Sequence, residues 1–136
     1  MKDAKNEPGV APADCPFCSN AIVAQAIVSN DLVYALADTN PVTPGHSLVI
    51  PRRHTPDYFT MTDEERCAAA ALVDELRQTL LRRDPAIDGF NVGVNCGAVA
   101  GQTIFHAHIH LIPRRQGDTP WPRGGVRGVV PAKMNY

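Results

Sequence analysis

The sequence predicts an α+β fold in which about five mostly consecutive strands form an antiparallel sheet with one main helix packed on it. Three observations carry this. Thr62–Arg83 holds one apolar stripe at helical spacing, Gly89–Asn95 and Phe105–Leu111 alternate with period two, and short apolar runs punctuated by turn residues fill the first half. At 136 residues, 44% hydrophobic and 20% charged, the chain is expected to form a single domain over residues 15–136. Its last part, residues 116–136, is a tail rich in Gly and Pro. Residues 1–14 are polar and read as a loose arm without the apolar core of a secretory signal. Thirteen basic against fourteen acidic residues give a net charge of −1, so no global basic field recruits nucleic acid stably. No apolar run reaches membrane-span length, and four cysteines make no disulfide framework; a cytoplasmic protein is expected.

In chain order, Cys15-Pro16-Phe17-Cys18 opens the ordered part. Ala24–Ser29 and Leu32–Ala37 are β-leaning runs joined by Asn30-Asp31, a hairpin signal, and Asp38–Gly45 is a rigid, Pro-rich turn region. His46–Pro51 reads as a further strand. The helix begins at a capping box, Thr62 with Glu65, and buries Ala69, Leu72, Val73, Leu76 and Leu80. Asp63 and Glu64 at its start and Arg82 and Arg83 at its end suit the helix dipole, and Asp84-Pro85 stops it. Beyond it, Phe90, Val92 and Val94 are expected to face the helix, with Asn91 and Asn95 on the opposite face. Cys67 and Cys96 read as small buried apolar residues.

Three of the five histidines stand two apart, at His106, His108 and His110, interleaved with Phe105, Ala107, Ile109 and Leu111 and ended by Pro113. A strand places such imidazoles on one face at about 7 Å intervals. They could be surface groups without a role, ligands of one catalytic zinc, or a nucleophile with its supports. A neutral imidazole can attack phosphorus through one ring nitrogen if the other is held as an N–H donor. Gly97, Gly101 and the backbone around Gln102-Thr103 form a turn able to cradle phosphate oxygens.

These residues, His-Ala-His-Ile-His-Leu-Ile, resemble the His-φ-His-φ-His-φ-φ signature of the histidine triad (HIT) superfamily, φ being apolar. Ala-Gly-Gln-Thr (residues 100–103) and Pro-Gly-His-Ser-Leu-Val-Ile-Pro (residues 44–51) are similar to its other motifs. The resemblance implies a homodimeric nucleotide-binding enzyme that cleaves or transfers a nucleoside monophosphate, most naturally adenylyl. It implies His108 as the nucleophile taking up the nucleotidyl group and His110 as its support or phosphate contact. Asn95, Gly101, Gln102 and Thr103 match positions holding phosphate and ribose, and Asp38 matches the ribose-binding residue after the second strand. Gln102 or His110 would donate to the departing group. Two alternatives stay open: a nucleotide- or partner-binding module with little turnover, and a three-histidine catalytic zinc hydrolase.

Cys15 and Cys18 with His54 and His106 would complete a closed tetrahedral shell around one structural zinc per chain, as in Cys-x-x-Cys members of the same superfamily. His46 rivals His54 for the third ligand position.

Overall fold

The computed structural model describes residues 12–136; most of the expected arm therefore lies outside the described residues. Five strands form one antiparallel sheet: β1 (Val28–Ser29), β2 (Val33–Ala37), β3 (Ser47–Pro51), β4 (Ile87–Gly93) and β5 (Ile109–Arg115), in the order β1-β2-β3-β5-β4. The α+β expectation holds, with β5 inserted between β3 and β4. Among the described residues, no helix is long and apolar enough to cross a membrane.

A short helical turn, α1 (Asn20–Val23), precedes β1, and the main helix, α2 (Asp63–Arg83), lies across one sheet face. Its capping box is formed: Glu65 N–H donates to Thr62 Oγ1 at 3.0 Å, and Thr62 N–H to Glu65 Oε1 at 2.9 Å. Ala69, Leu72 and Leu76 bury against Val33, Ala35, Val49, Ile109 and Leu111, which all point to this face. The opposite face carries a second core, Tyr34, Leu36, Leu48 and Ile50, covered by Phe17, Ile22 and Val23 of the N-terminal segment. Tyr34 Oη donates to Phe17 O at 2.6 Å and ties that segment to the sheet.

Three elements differ from expectation. Ala24–Ser29 contributes only Val28–Ser29 as strand, because its apolar residues serve a turn: the N–H groups of Ala24, Gln25 and Ala26 bond back to Asn20, Ile22 and Val23. The histidine strand starts only at Ile109. Val49 pairs with Ile109, so continued pairing would set Ala107 opposite Pro51, which has no N–H to give; Ala107 N–H bonds instead to Thr55 O at 2.8 Å. The alternation survives this, with Ala107, Ile109 and Leu111 in the helix-side core. Finally, β4 ends at Gly93, and Val92, on an edge strand, is exposed. Cys67 is also exposed and Cys96 half-buried, against the expectation of two buried thiols. The tail folds into two 3-10 turns, Gly125–Val129 and Pro131–Lys133.

Candidate active site and metal cluster

Each histidine of the triad has a different set of partners. His106 is fully buried, and its Nε2–H donates to Pro51 O at 2.6 Å. That bond leaves Nδ1 with a lone pair, which faces Cys15 Sγ and Cys18 Sγ, each at 3.4 Å, and His54 Nδ1 at 3.2 Å. Cys18 Sγ lies 3.4 Å from His54 Nδ1. A zinc ~2.3 Å from sulfur and ~2.05 Å from nitrogen requires tetrahedral edges of about 3.6 Å (S···N) and about 3.3 Å (N···N). These four separations match that shape, and all four donor atoms lie within 4.8 Å of one another, so the residues fit the metal. Burial pulls His106 down to about 4 against the opposing pull of the Pro51 bond, keeping the ring neutral as a ligand must be. Burial, reinforced by Cys15, pushes the Cys18 thiol up to about 12, a cost that a dication between the sulfurs reverses. His54, and not His46, thus stands with the two cysteines and His106.

His108 Nδ1–H donates to the backbone carbonyl of His106 at 2.8 Å, leaving Nε2 as the lone-pair nitrogen. Its ring meets Phe17 edge-on at 5.2 Å, and Phe17 also packs on His106. His110 Nδ1 lies 2.9 Å from His46 Nε2. Val42 N–H donates to His46 Nδ1 at 3.0 Å, so the His46 proton sits on Nε2 and is given to His110 Nδ1, leaving His110 with its own proton on Nε2. Burial lowers both His46 and His110 below the ordinary imidazole value, opposed by the Asp38 charge, so the chain runs through neutral rings at pH 7. Asp38 Oδ2 stands 3.4 Å from His46 Nε2, and its Oδ1 accepts from Asn40 N–H. His46 therefore belongs to His110 and not to the cysteines. The sequence had kept His46 only as a rival of His54; Leu48 pairs with His110, which brings this end of β3 beside the triad. Phe17 was missed as well; its position inside the Cys-x-x-Cys loop was the available signal.

The imidazoles open on a cavity of about 430 Å³ lined by Phe17, Asp38, Thr103, His108 and His110. A second, of about 420 Å³, lies on the β4–β5 side of His110 and includes Asn95. Gly101 holds φ +96°, and a Cβ there would stand 3.8 Å from the Asn95 amide. The Gln102 amide is engaged within the protein. It is buried, its amide N–H groups donate to Pro56 O (2.5 Å) and Ile104 O (3.1 Å), and its Oε1 accepts from Gly97 N–H (2.8 Å). It pins the glycine-containing loop. Nor do the three histidines converge on one ion: among the described residues, the donor groups close enough to share a metal are Cys15/Cys18/His54/His106 and Asp38/His46/His110. Each contains one triad histidine, which removes the geometric basis for a three-histidine zinc site.

The HIT domain profile matches residues 19–117. The chain belongs to the HIT family. It is 35% identical to adenylylsulfatase HINT3 of Arabidopsis thaliana over 130 residues, which are 92% of this chain and 64% of that protein, so it spans just under two thirds of that relative. A hypothetical histidine triad nucleotide-binding protein of Sulfolobus tokodaii superposes with a TM-score of 0.69 at 32% identity, over 78% of this HIT chain and 72% of that one. A Zn-bound histidine triad family protein of Mycobacterium smegmatis gives 0.69 at 32% identity, over 89% and 93%.

The Gln102 contacts generate a test. Gln102→Ala strands one buried N–H and two carbonyls, and is expected to cost about 2–4 kcal/mol in denaturant unfolding. Lost turnover with unchanged stability would instead return this amide to the chemistry.

Proposed function

We propose that this HIT protein is a nucleotidyl hydrolase or transferase acting on a nucleoside phosphate, of adenylyl type, through a covalent nucleotidyl-His108 intermediate. One observation carries the reading: the His106 carbonyl fixes His108 in the tautomer whose Nε2 lone pair is free, beside a cavity that also holds Asp38, Thr103 and His110. The similarity to an adenylylsulfatase and to a nucleotide-binding triad protein supports it.

In the first step, His108 Nε2 forms a bond to phosphorus as the leaving group departs with its electron pair. In the second, water displaces His108. Two in-line displacements replace one harder step. Much of the acceleration comes from placement and from N–H groups aimed at developing charge, His110 Nε2–H among them. Asp38 holds the ribose hydroxyls, while Asn95, Gly101 and Thr103 shape the phosphate end. Gln102 holds the loop rather than the substrate. His108→Ala should abolish turnover while leaving nucleotide affinity within about tenfold, and acid quench of the native protein should trap a nucleotidyl adduct. Retention of most of kcat in His108→Ala would show the nucleophile assignment to be wrong. A binding module would keep the affinity and show no turnover in the native chain either.

Zinc, one per chain, is held by Cys15, Cys18, His54 and His106 and is structural. When bound, it supplies a cross-link between the N-terminal segment and the sheet; four protein ligands leave no coordination position for a water. Cys15→Ser with Cys18→Ser should lose the metal and lower the melting temperature, while Cys67→Ser, on the exposed helix face, should keep about one equivalent. If a chelator removed activity with the circular dichroism unchanged and zinc alone restored it, the metal would be catalytic instead. Thiolate ligands suit a reducing compartment, consistent with a cytoplasmic protein.

A homodimer completes the proposal. Strand β4 is an edge, and Val92, Val126, Val129 and Trp121 leave apolar surface open on that side. Light scattering at micromolar concentration should give twice the chain mass; a monomer would end this reading.

A further inference from the structure

The cysteine loop belongs to two places at once. Cys15 and Cys18 stand in the cluster with His54 and His106, while Pro16 and Phe17, between them, line the cavity that holds Asp38, His108 and His110. The loop is one 3-10 turn, Pro16–Cys18, closed by Cys18 N–H donating to Cys15 O at 3.2 Å. So short a turn has few internal rotations, and the thiols and the Phe17 ring move together.

What ties this wall to the sheet decides how it responds. The backbone N–H groups of Cys15, Cys18, Ser19 and residues 22–26 all bond within the segment itself. The ties outward run through side chains. Tyr34 Oη donates to Phe17 O at 2.6 Å, and apolar residues of the segment cover Leu36 and Leu48. The thiols face His54 and His106, and the buried Phe17 ring stands edge-on to His106 at 5.8 Å and to His108 at 5.2 Å. A wall held in this way keeps some freedom. Whatever orders it from one side lowers the cost of ordering it from the other.

We infer that Phe17 is a positioning residue that couples the metal cluster to the nucleotide pocket, so that zinc and a nucleoside monophosphate bind with positive cooperativity. This rests on the nucleotide-site and structural-zinc readings above. Each ligand raises the affinity for the other by the same factor, as linkage requires. The path is short: one ring touches a member of the cluster and the free imidazole of the pocket, with no intermediate element to relay the change. The coupling acts on nucleotide affinity. At saturating nucleotide the rate still tells a structural metal from a catalytic one.

The experiment measures the zinc dissociation constant of the full, zinc-loaded chain by competition with a calibrated chelator, with and without saturating AMP, corrected for zinc bound by AMP itself. AMP should lower that constant about fivefold or more. Phe17→Leu keeps apolar bulk but loses the flat ring between the two imidazoles; it should retain its zinc and show an AMP effect below about twofold. If Phe17→Leu loses the metal outright, Phe17→Tyr, which keeps the ring, must show the native AMP effect for the inference to stand. An unchanged zinc constant in the native chain overturns it. So does a Phe17→Leu chain with the full native effect, because AMP would then act on the fold as a whole. Calorimetry of AMP binding to the native chain separates the failures. AMP bound with the zinc constant unchanged removes the coupling only, whereas no AMP binding removes the nucleotide reading beneath it.

Discussion

The hydrogen bond from His106 Nε2–H to the carbonyl of Pro51 is the constraint on which the site depends. It fixes one tautomer of a fully buried ring, and that tautomer turns the Nδ1 lone pair toward two cysteines and a second imidazole. The same residue's backbone carbonyl takes the Nδ1–H of His108 and decides which nitrogen of that ring is free. A single side chain and its own peptide group thus set the protonation pattern of the metal cluster and of the neighbouring imidazole together. Phe17, carried by the cysteine loop, packs on both rings and couples the two regions sterically.

The sheet makes this possible by separating its faces. Leucines and alanines of α2 close one side, so the histidine side is free to be polar in one half and covered by the N-terminal segment in the other. Polar groups sunk into such a surface are tolerable only when each has a partner. The Val42–His46–His110 chain, the Gln102 amide and the Arg53–Glu65 pair all satisfy that condition. At Glu65, burial works to raise the carboxyl, but the Arg53 guanidinium and the Thr62 N–H outweigh it and hold it below the usual range.

Much of this was legible in the amino-acid order. The capping box and the stripe from Ala69 to Leu80 specified α2 locally, and the alternation around Ile109 specified which residues face it. Cys15, Cys18, His54 and His106 could be grouped because two thiols and two imidazoles make a closed tetrahedral shell. Other features depend on tertiary register. The start of β5 hinges on a missing N–H on another strand, at Pro51, which period-two reasoning within Phe105–Leu111 does not see. His46 could be weighed only as a rival of His54 for the cysteines; the β3–β5 pairing sets it beside His110 instead. Gln102 was matched to the substrate through the family resemblance; only the contacts to Pro56, Ile104 and Gly97 show its amide engaged within the protein.

The strand order has a consequence for how the molecule is made. β5 lies between β3 and β4, so the strand that joins β4 to the rest of the sheet is the last of the five to be synthesised. Until then β3, entirely buried in the finished protein, has one bare edge, and the leucines of α2 lack part of the surface they cover. Non-local pairing of this kind folds late and leaves the nascent chain open to association with others. The last member of the cysteine–histidine cluster, His106, also follows Cys15 by some ninety residues. The cysteine loop and His106 therefore meet across a long stretch of chain, and the contact between them is as non-local as the strand pairing.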